Sequence, residues 1–376
     1  MSVTLAEPVL TAVHLLAFAA GIVVVGQTLM SAIRTFVLPR ADPVAISTFV
    51  FTGMRRMFAL RIRRIDSYLV RDRIMAIYAP ISLVALAVTW VLLVAAGFTL
   101  MFWATGTHPI SRALITSGSS VFTLGYERPD GLVGSALAFG EAGIGLGLVA
   151  LLISYLPSIY AAFTRREIVL SLLEPLAGSP ATPTMLILRH HLTTGLMELE
   201  SLWTIWRSWF ADVEESHTSL AALVFFRSPH PDRSWITSAG CVLDAASIVA
   251  SSLEIPRSAN SEFCIRAGFV TLRRIADFFG ITYPADPQPG DEISVTREEF
   301  DAVLESLERR GVPLKSDRDQ AWRDFAGWRV NYDAVLLRLC SLTMAPPARW
   351  SGDRAPSFAM PAMWRRRSSA VMGPAN

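Results

Sequence analysis

The sequence predicts an all-α membrane protein: three transmembrane helices, a short re-entrant element between the second and third, and an α-helical domain on the cytoplasmic side. Three observations carry this. Apolar residues make up 52% of the 376-residue chain and mean hydropathy is +0.41, more hydrocarbon than a soluble domain carries, so part of it faces lipid. Nearly all the long uncharged runs lie before Arg165. The arginines between the first two runs are clustered, which sets an orientation.

Residues 9–33 hold no charged side chain, and His14 and Gln27 are their only strongly polar members. About 20 apolar residues rising ~1.5 Å each cross a hydrocarbon core of roughly 30 Å, so this is the first span. Residues 1–8 carry Glu7 and no positive charge; they lack the basic start of a signal peptide, and the run is expected to stay in the membrane. Residues 74–105 form the second uncharged run, whose end at Phe102 and Trp103 suits a membrane interface. The third, residues 133–163, contains Gly140, Gly143, Gly145 and Gly147 and a single acid, Glu141. Small residues let helices approach closely, and an ionisable group inside a span is a functional candidate.

The connection 34–73 carries nine arginines against three aspartates, so it is expected in the cytoplasm. The N-terminus is then outside, the second span runs outward, and the third returns to Arg165-Arg166 in the cytoplasm of a cell bounded by this plasma membrane. Within that connection Phe49, Met54, Met57, Phe58, Leu60 and Ile62 mix with arginines, as in an interfacial helix facing lipid phosphates; a hairpin packed on the soluble domain fits as well. The organisation expected is therefore 1–33 N-terminal span, 34–73 arginine-rich connection, 74–165 second and third spans with their loop, 166–344 cytoplasmic helical domain, and 345–376 disordered tail.

Beyond Arg166 the apolar spacing is that of amphipathic helices. One long helix is expected over 185–213, then helices over 235–253, 261–279, 296–310 and 316–342. Thr296 with Glu299 and Ser316 with Asp319 have capping-box spacing, and 283–290, with three prolines, reads as a loop. Cys241, Cys264 and Cys340 are far apart and read as reduced thiols. No basic, aromatic-laced patch points to nucleic acid, and no phosphate loop, nucleophile elbow or dinucleotide motif points to an enzyme. No cofactor, metal site or catalytic residue is expected. Glu214-x-x-His217 has metal-ligand spacing, but only one such pair occurs; the loop 225–233 reads as an interhelical connection or a ligand or subunit contact.

Between the second and third runs, residues 111–120 form a helix too short to cross, followed by Val121-Phe122-Thr123-Leu124-Gly125-Tyr126. The order span, short helix, Thr-hydrophobe-Gly-Tyr, span resembles the pore of the two-helix potassium-channel family, whose filter reads T-V-G-Y-G. The resemblance implies a pore domain over 74–165 in which the carbonyls of Thr123, Leu124, Gly125 and Tyr126 coordinate a permeant monovalent cation, K+ in that family. Ser119 and Ser120 would stand at the pore-helix end. Glu141, through Arg112, would support the filter, and Gly143, Gly147 and Pro157 would bend the inner helix at a gate. Since one loop cannot enclose an axis, a homotetramer in the lipid bilayer is implied. Glu127 replaces the second filter glycine and Arg128 an aspartate that commonly follows, which leaves selectivity open. The rival readings are a tight re-entrant packing element in a non-conducting anchor or sensor whose soluble domain binds a partner, and a membrane metalloenzyme using Glu214 and His217.

Overall fold

The computed structural model describes residues 6–36 and 44–356. Among the described residues the chain is helical, with no strand beyond one isolated bridge between Leu253 and Leu314. It forms two compact units. The first comprises Met1–Arg61 and Ile77–Tyr160, the second Ile62–Ala76 and Ala161–Asn376.

In the first unit α1 (Ala6–Phe36) packs on α4 (Tyr78–Ala104). Gly21 and Gly97 mark the crossing: a Cβ on Gly21 would lie 2.5 Å from the Gly97 carbonyl oxygen, and one on Gly97 2.7 Å from Val25. Such close approach is what small residues permit between apolar helices. Leu86, Trp90, Val94, Phe98 and Phe102 of α4 form the buried stripe, repeating every fourth residue along one face. Burying an indole leaves a donor to satisfy, and Trp90 Nε1 donates to Ser31 Oγ on α1 at 3.1 Å.

Helix α2 (Ala45–Ile62) buries Val50, Arg55 and Phe58 and exposes Phe49, Met57 and Leu60 beside Arg56 and Arg61, the amphipathic pattern of an interfacial helix. Arg40 and Asp42 of the same connection lie outside the described residues. After α5 (Ile110–Val121), α6 runs unbroken from Gly131 to Ala177, well past the end read from hydropathy at 163. The most apolar 18-residue windows of α1 and α6 have hydropathies of 2.3 and 2.1, yet only 11% and 17% of their residues are buried. Continuous apolar surface of this extent calls for lipid or further protein to cover it. Several helices are therefore long and apolar enough to cross a membrane.

The second unit contains α3 (Tyr68–Ala76), the end of α6, and α7 (Pro183–Leu192), α8 (Leu199–Ser219), α9 (Trp235–Ser252), α10 (Ala259–Phe278), α11 (Arg297–Glu308), α12 (Arg318–Arg329) and α13 (Asp333–Thr343). Helix α9 also has the length and hydropathy of a span, but 94% of it is buried inside this unit. It packs against α7, α10, α12 and α13; its polarity is low because it is a core helix covered on all sides.

Two helices expected as single pieces are each divided. The run 185–213 breaks between α7 and α8, where Gly195 adopts φ +90° and its N–H donates to the His190 carbonyl at 2.7 Å, a left-handed C-terminal stop that glycine tolerates. The run 316–342 breaks at Tyr332, because the Asn331 amide bonds the Gly327 and Trp328 carbonyls that continued helix would use, and Tyr332 turns inward to give its hydroxyl to Asp244 at 2.9 Å. The cap of α12 is Asp317, accepting from Gln320 N–H at 2.9 Å, not Ser316. The Thr296–Glu299 capping box forms.

The expected loose tail is packed over its described part. Trp350 is fully buried, and Arg354 pairs with Glu299; residues 357–376 lie outside the described residues. Trp350 is held through its carbonyl, which accepts from the buried Arg329 at 2.6 Å. Arg329 also pairs with Asp244 and, at 2.7 Å, with Asp333, whose two oxygens accept from the Ser294 N–H and hydroxyl. One guanidinium thus ties α9, α12, α13 and the segment after α13.

Candidate functional site: the loop after the short helix of the first unit

Helix α5 carries a row of buried hydroxyls, Thr116, Ser117, Ser119 and Ser120. Thr116 and Ser120 turn theirs back to the carbonyls of Arg112 and Thr116, which satisfies them within the helix. Ser117 reaches outward instead, with Oγ 2.9 Å from the Ala95 carbonyl of α4 and 2.5 Å from Glu141 Oε1 of α6. A hydroxyl has one proton to give. The Ala95 carbonyl and the Glu141 carboxyl both lie within reach of it as acceptors. Three helices are thereby pinned through one serine. Glu141→Gln, which keeps an acceptor in place, should leave thermal stability nearly unchanged; Glu141→Ala should cost about 1–3 kcal/mol, read by thermal unfolding of the purified chain. Equal loss in both variants would show that acceptance from Ser117 is not what Glu141 contributes.

Beyond α5 the chain turns back. Thr123 N–H donates to Ser120 O at 2.9 Å and Leu124 N–H to Ser119 O at 2.8 Å. Farther on, Glu127 N–H donates to Ser119 Oγ at 3.0 Å. Thr123 has φ +54° and Gly125 φ +67°, while Leu124 and Tyr126 between and after them stay at negative φ. Two left-handed residues in three give this segment an irregular backbone that neither helix nor strand continues. The N–H groups of Leu124 and Glu127 face the end of α5. The carbonyls of Thr123, Leu124, Gly125 and Tyr126 accept no hydrogen bond from any described residue. Positive φ at a β-branched threonine is strained, a cost found where geometry serves a site.

The expected link from Arg112 to Glu141 does not form. Arg112 donates to Glu127 at 2.9 Å and to Asp130 at 3.5 Å, whereas Glu141 bonds Ser117. The physical reason is position: Arg112 opens α5 at the level of the returning loop, and Ser117 lies more than one turn farther along. Glu127 therefore straps α5 at both ends, by its carboxylate to Arg112 and its backbone to Ser119.

Of the small residues on α6, Gly145 makes the close approach, since a Cβ there would overlap the Val121 carbonyl at the end of α5. Gly143 and Gly147 face open space. Gly147 lines an apolar groove of about 540 Å3 with Leu29 and Ile33 of α1. The helix continues without interruption through Gly143, Gly147 and Pro157.

The Glu214-x-x-His217 pair does not converge. Glu214 pairs with Arg274, while His217 is buried with Nε2 3.3 Å from Arg166 Nη1 and Nδ1 3.1 Å from Ser216 Oγ. Among the described residues no group of three His, Cys, Asp or Glu is placed to hold a metal.

Sequence reasoning missed a junction in the second unit. Arg166, near the end of α6, is fully buried and donates to the carbonyls of Leu223 and Phe226 at 3.1 and 2.8 Å and to Glu167 at 2.9 Å. Arg227, in the same loop, pairs with Asp72 of α3 and donates to Tyr68 Oη at 3.2 Å and to the Thr343 and Met344 carbonyls. Arg233 donates to Ser171 Oγ and pairs with Glu174. The loop following α8 thus grips both α3, which leads into α4, and the end of α6. An Arg among many arginines gives no sequence signal for such a role.

Burial first, and the adjacent Arg166 charge second, hold the His217 imidazole well below its ordinary value of 6.5. The ring is neutral, its Nε2 lone pair accepting from Arg166. A depressed histidine binds fewer protons folded than unfolded, so stability is complete above about pH 6.5 and falls as pH drops below it, by up to about 1.4 kcal/mol per pH unit. His217→Gln, which keeps an acceptor but does not titrate, should flatten the decline of unfolding temperature between about pH 7 and 5. An unchanged decline would show that other groups cause it.

Comparison with known proteins found no matching family model, no matching curated relative and no matching solved structure. The site stands on its own residues.

Proposed function

We propose that the chain is one subunit of a tetrameric, potassium-channel-like cation channel in the plasma membrane. In this reading α1, α4 and the first part of α6 span the bilayer, α5 enters it as a pore helix, and Thr123 to Tyr126 form the filter. The observation that carries the reading is four successive carbonyls, Thr123 to Tyr126, free of bonds from the described residues, at the end of a short helix whose other side is pinned by Ser117. Non-helical backbone at membrane depth is tolerated where it lines water or is buried in protein. A ring of such carbonyls replaces the hydration shell of a cation.

Leu124 and Tyr126 are 70% and 81% exposed on the single chain. Four copies around an axis would cover these side chains and turn these carbonyls inward. The nine arginines of residues 34–73 favour a cytoplasmic second unit. Its grip on α3 and on the end of α6 is where a cytoplasmic signal would reach the two chain segments that adjoin the pore helices.

The test is reconstitution of the purified chain in liposomes, with K+ flux measured against chloride flux and the assembly mass determined in parallel. A tetramer passing cations over chloride supports the proposal. A monomer or dimer with no flux overturns it in favour of a non-conducting anchor or sensor.

A further inference from the structure

The second unit carries a cavity of about 650 Å3 lined by the end of α9, the start of α10 and one face of α12. Small-molecule sites occupy roughly 300–1,000 Å3. Its walls are apolar at Leu253, Pro256, Pro289 and Trp328. Lys315 also lines it, and it is the only lysine in a chain whose Lys and Arg total 34.

Lys315 is fixed at three points. Its backbone N–H donates to Ser252 O at 2.9 Å, and its ammonium donates to the carbonyls of Ala250 and Ser251 at 3.1 and 2.9 Å. An ammonium has three N–H bonds, so one remains for the cavity. Arg323 on α12 gives Nε and Nη2 to Gln320 Oε1 and keeps Nη1. The Trp328 indole N–H donates to no described residue.

Glu262 takes Arg257 on both oxygens, at 2.6 and 2.9 Å, and one oxygen of Asp324 accepts from the Gln320 amide at 2.7 Å. The cations Arg257, Lys315 and Arg323 outnumber the carboxylates Glu262 and Asp324 in the lining. Spare donors, this positive balance and an indole wall together favour an anion with a flat body.

We propose that this cavity binds a small organic anion with a planar apolar body, its charged head on Lys315 and Arg323 and its ring against Trp328. The inference is independent of what the first unit conducts, and its test needs no flux measurement. Pyridoxal 5′-phosphate joins an aldehyde, a planar ring and a phosphate. Added to the full chain in detergent, it would seat its phosphate on Arg323 and its aldehyde at Lys315; the ammonium gives a proton to solvent, the free amine forms an imine with loss of water, and borohydride reduces that imine to a stable secondary amine. With one lysine in the chain, the label falls on Lys315 or the N-terminal amine, and peptide masses tell them apart.

Labelling of Lys315 should saturate with reagent and slow about ten-fold when a competing anion is present at roughly ten times its Kd. Adenosine monophosphate and indole-3-carboxylate serve as competitors, and the stronger one identifies a phosphate or a carboxylate head. Trp328→Ala and Arg323→Gln should each reduce labelling several-fold with helical content and unfolding temperature unchanged. If Lys315 labelling is absent, or is linear in reagent, unprotected by both anions and unaltered by both substitutions, the residue only caps α9 and the proposal fails.

Discussion

Gly125→Ala should reduce cation flux in liposomes by about ten-fold or more while leaving the assembly intact. Nothing lies within 4 Å of where an alanine Cβ would stand, so the substitution meets no steric barrier; what it meets is φ +67°. Holding an L-residue in the left-handed region costs roughly 1–2 kcal/mol. That is too little to unfold the unit, but enough to favour rotation of the peptides on either side. On the channel reading, rotation would turn the Leu124 or Gly125 carbonyl away and leave a cation short of ligands where its hydration shell must be replaced.

Gly140→Ala is the matched control. Gly140 also faces open space but lies within α6 at ordinary φ, where alanine gains about 0.5–1 kcal/mol; its flux should match the parent. If the Gly125 variant conducts like the parent, residues 123–126 are a packing element and the channel reading is lost.

Features set by near neighbours in the chain were legible in the sequence. The apolar helix within residues 74–105, the short helix before Thr123 and the Thr296–Glu299 box each depend on residues within a few turns, and the structure contains all three. The two helix breaks were less visible. Gly195 stops α7 although the apolar spacing continues past it, and Tyr332 leaves the helical path for a partner on α9 that lies 88 positions earlier. Side-chain partners across helices were not legible at all. Glu141 was singled out for being an acid in an apolar run, with Arg112 as its expected partner; it is buried, and its partner is Ser117, one of several hydroxyls on α5 that spacing cannot rank. Arg166 and Arg227 looked like positive-inside charge and solvated loop; burial and carbonyl geometry give them other roles.

The largest expected loss of stability belongs to Arg329→Met in the second unit. Its guanidinium is fully buried and serves Asp244, Asp333 and the Trp350 carbonyl. Methionine fills similar volume but leaves Asp244 with only the Tyr332 hydroxyl, whereas Asp333 retains both Ser294 donors. Removing one partner of a buried pair costs about 3–5 kcal/mol because the other charge stays behind unpaired. For a unit of this size that lowers the unfolding temperature on the order of 10 °C. The stranded charge, rather than lost attraction, is the main term, so neutralising it should restore stability. Arg329→Met combined with Asp244→Asn should recover more than half of the loss, measured by thermal unfolding of the purified chain, whereas Asp244→Asn alone should destabilise. Additive losses in the double variant would mean that Arg329 and Asp244 contribute independently, and the account of a charge left alone in the core would fail.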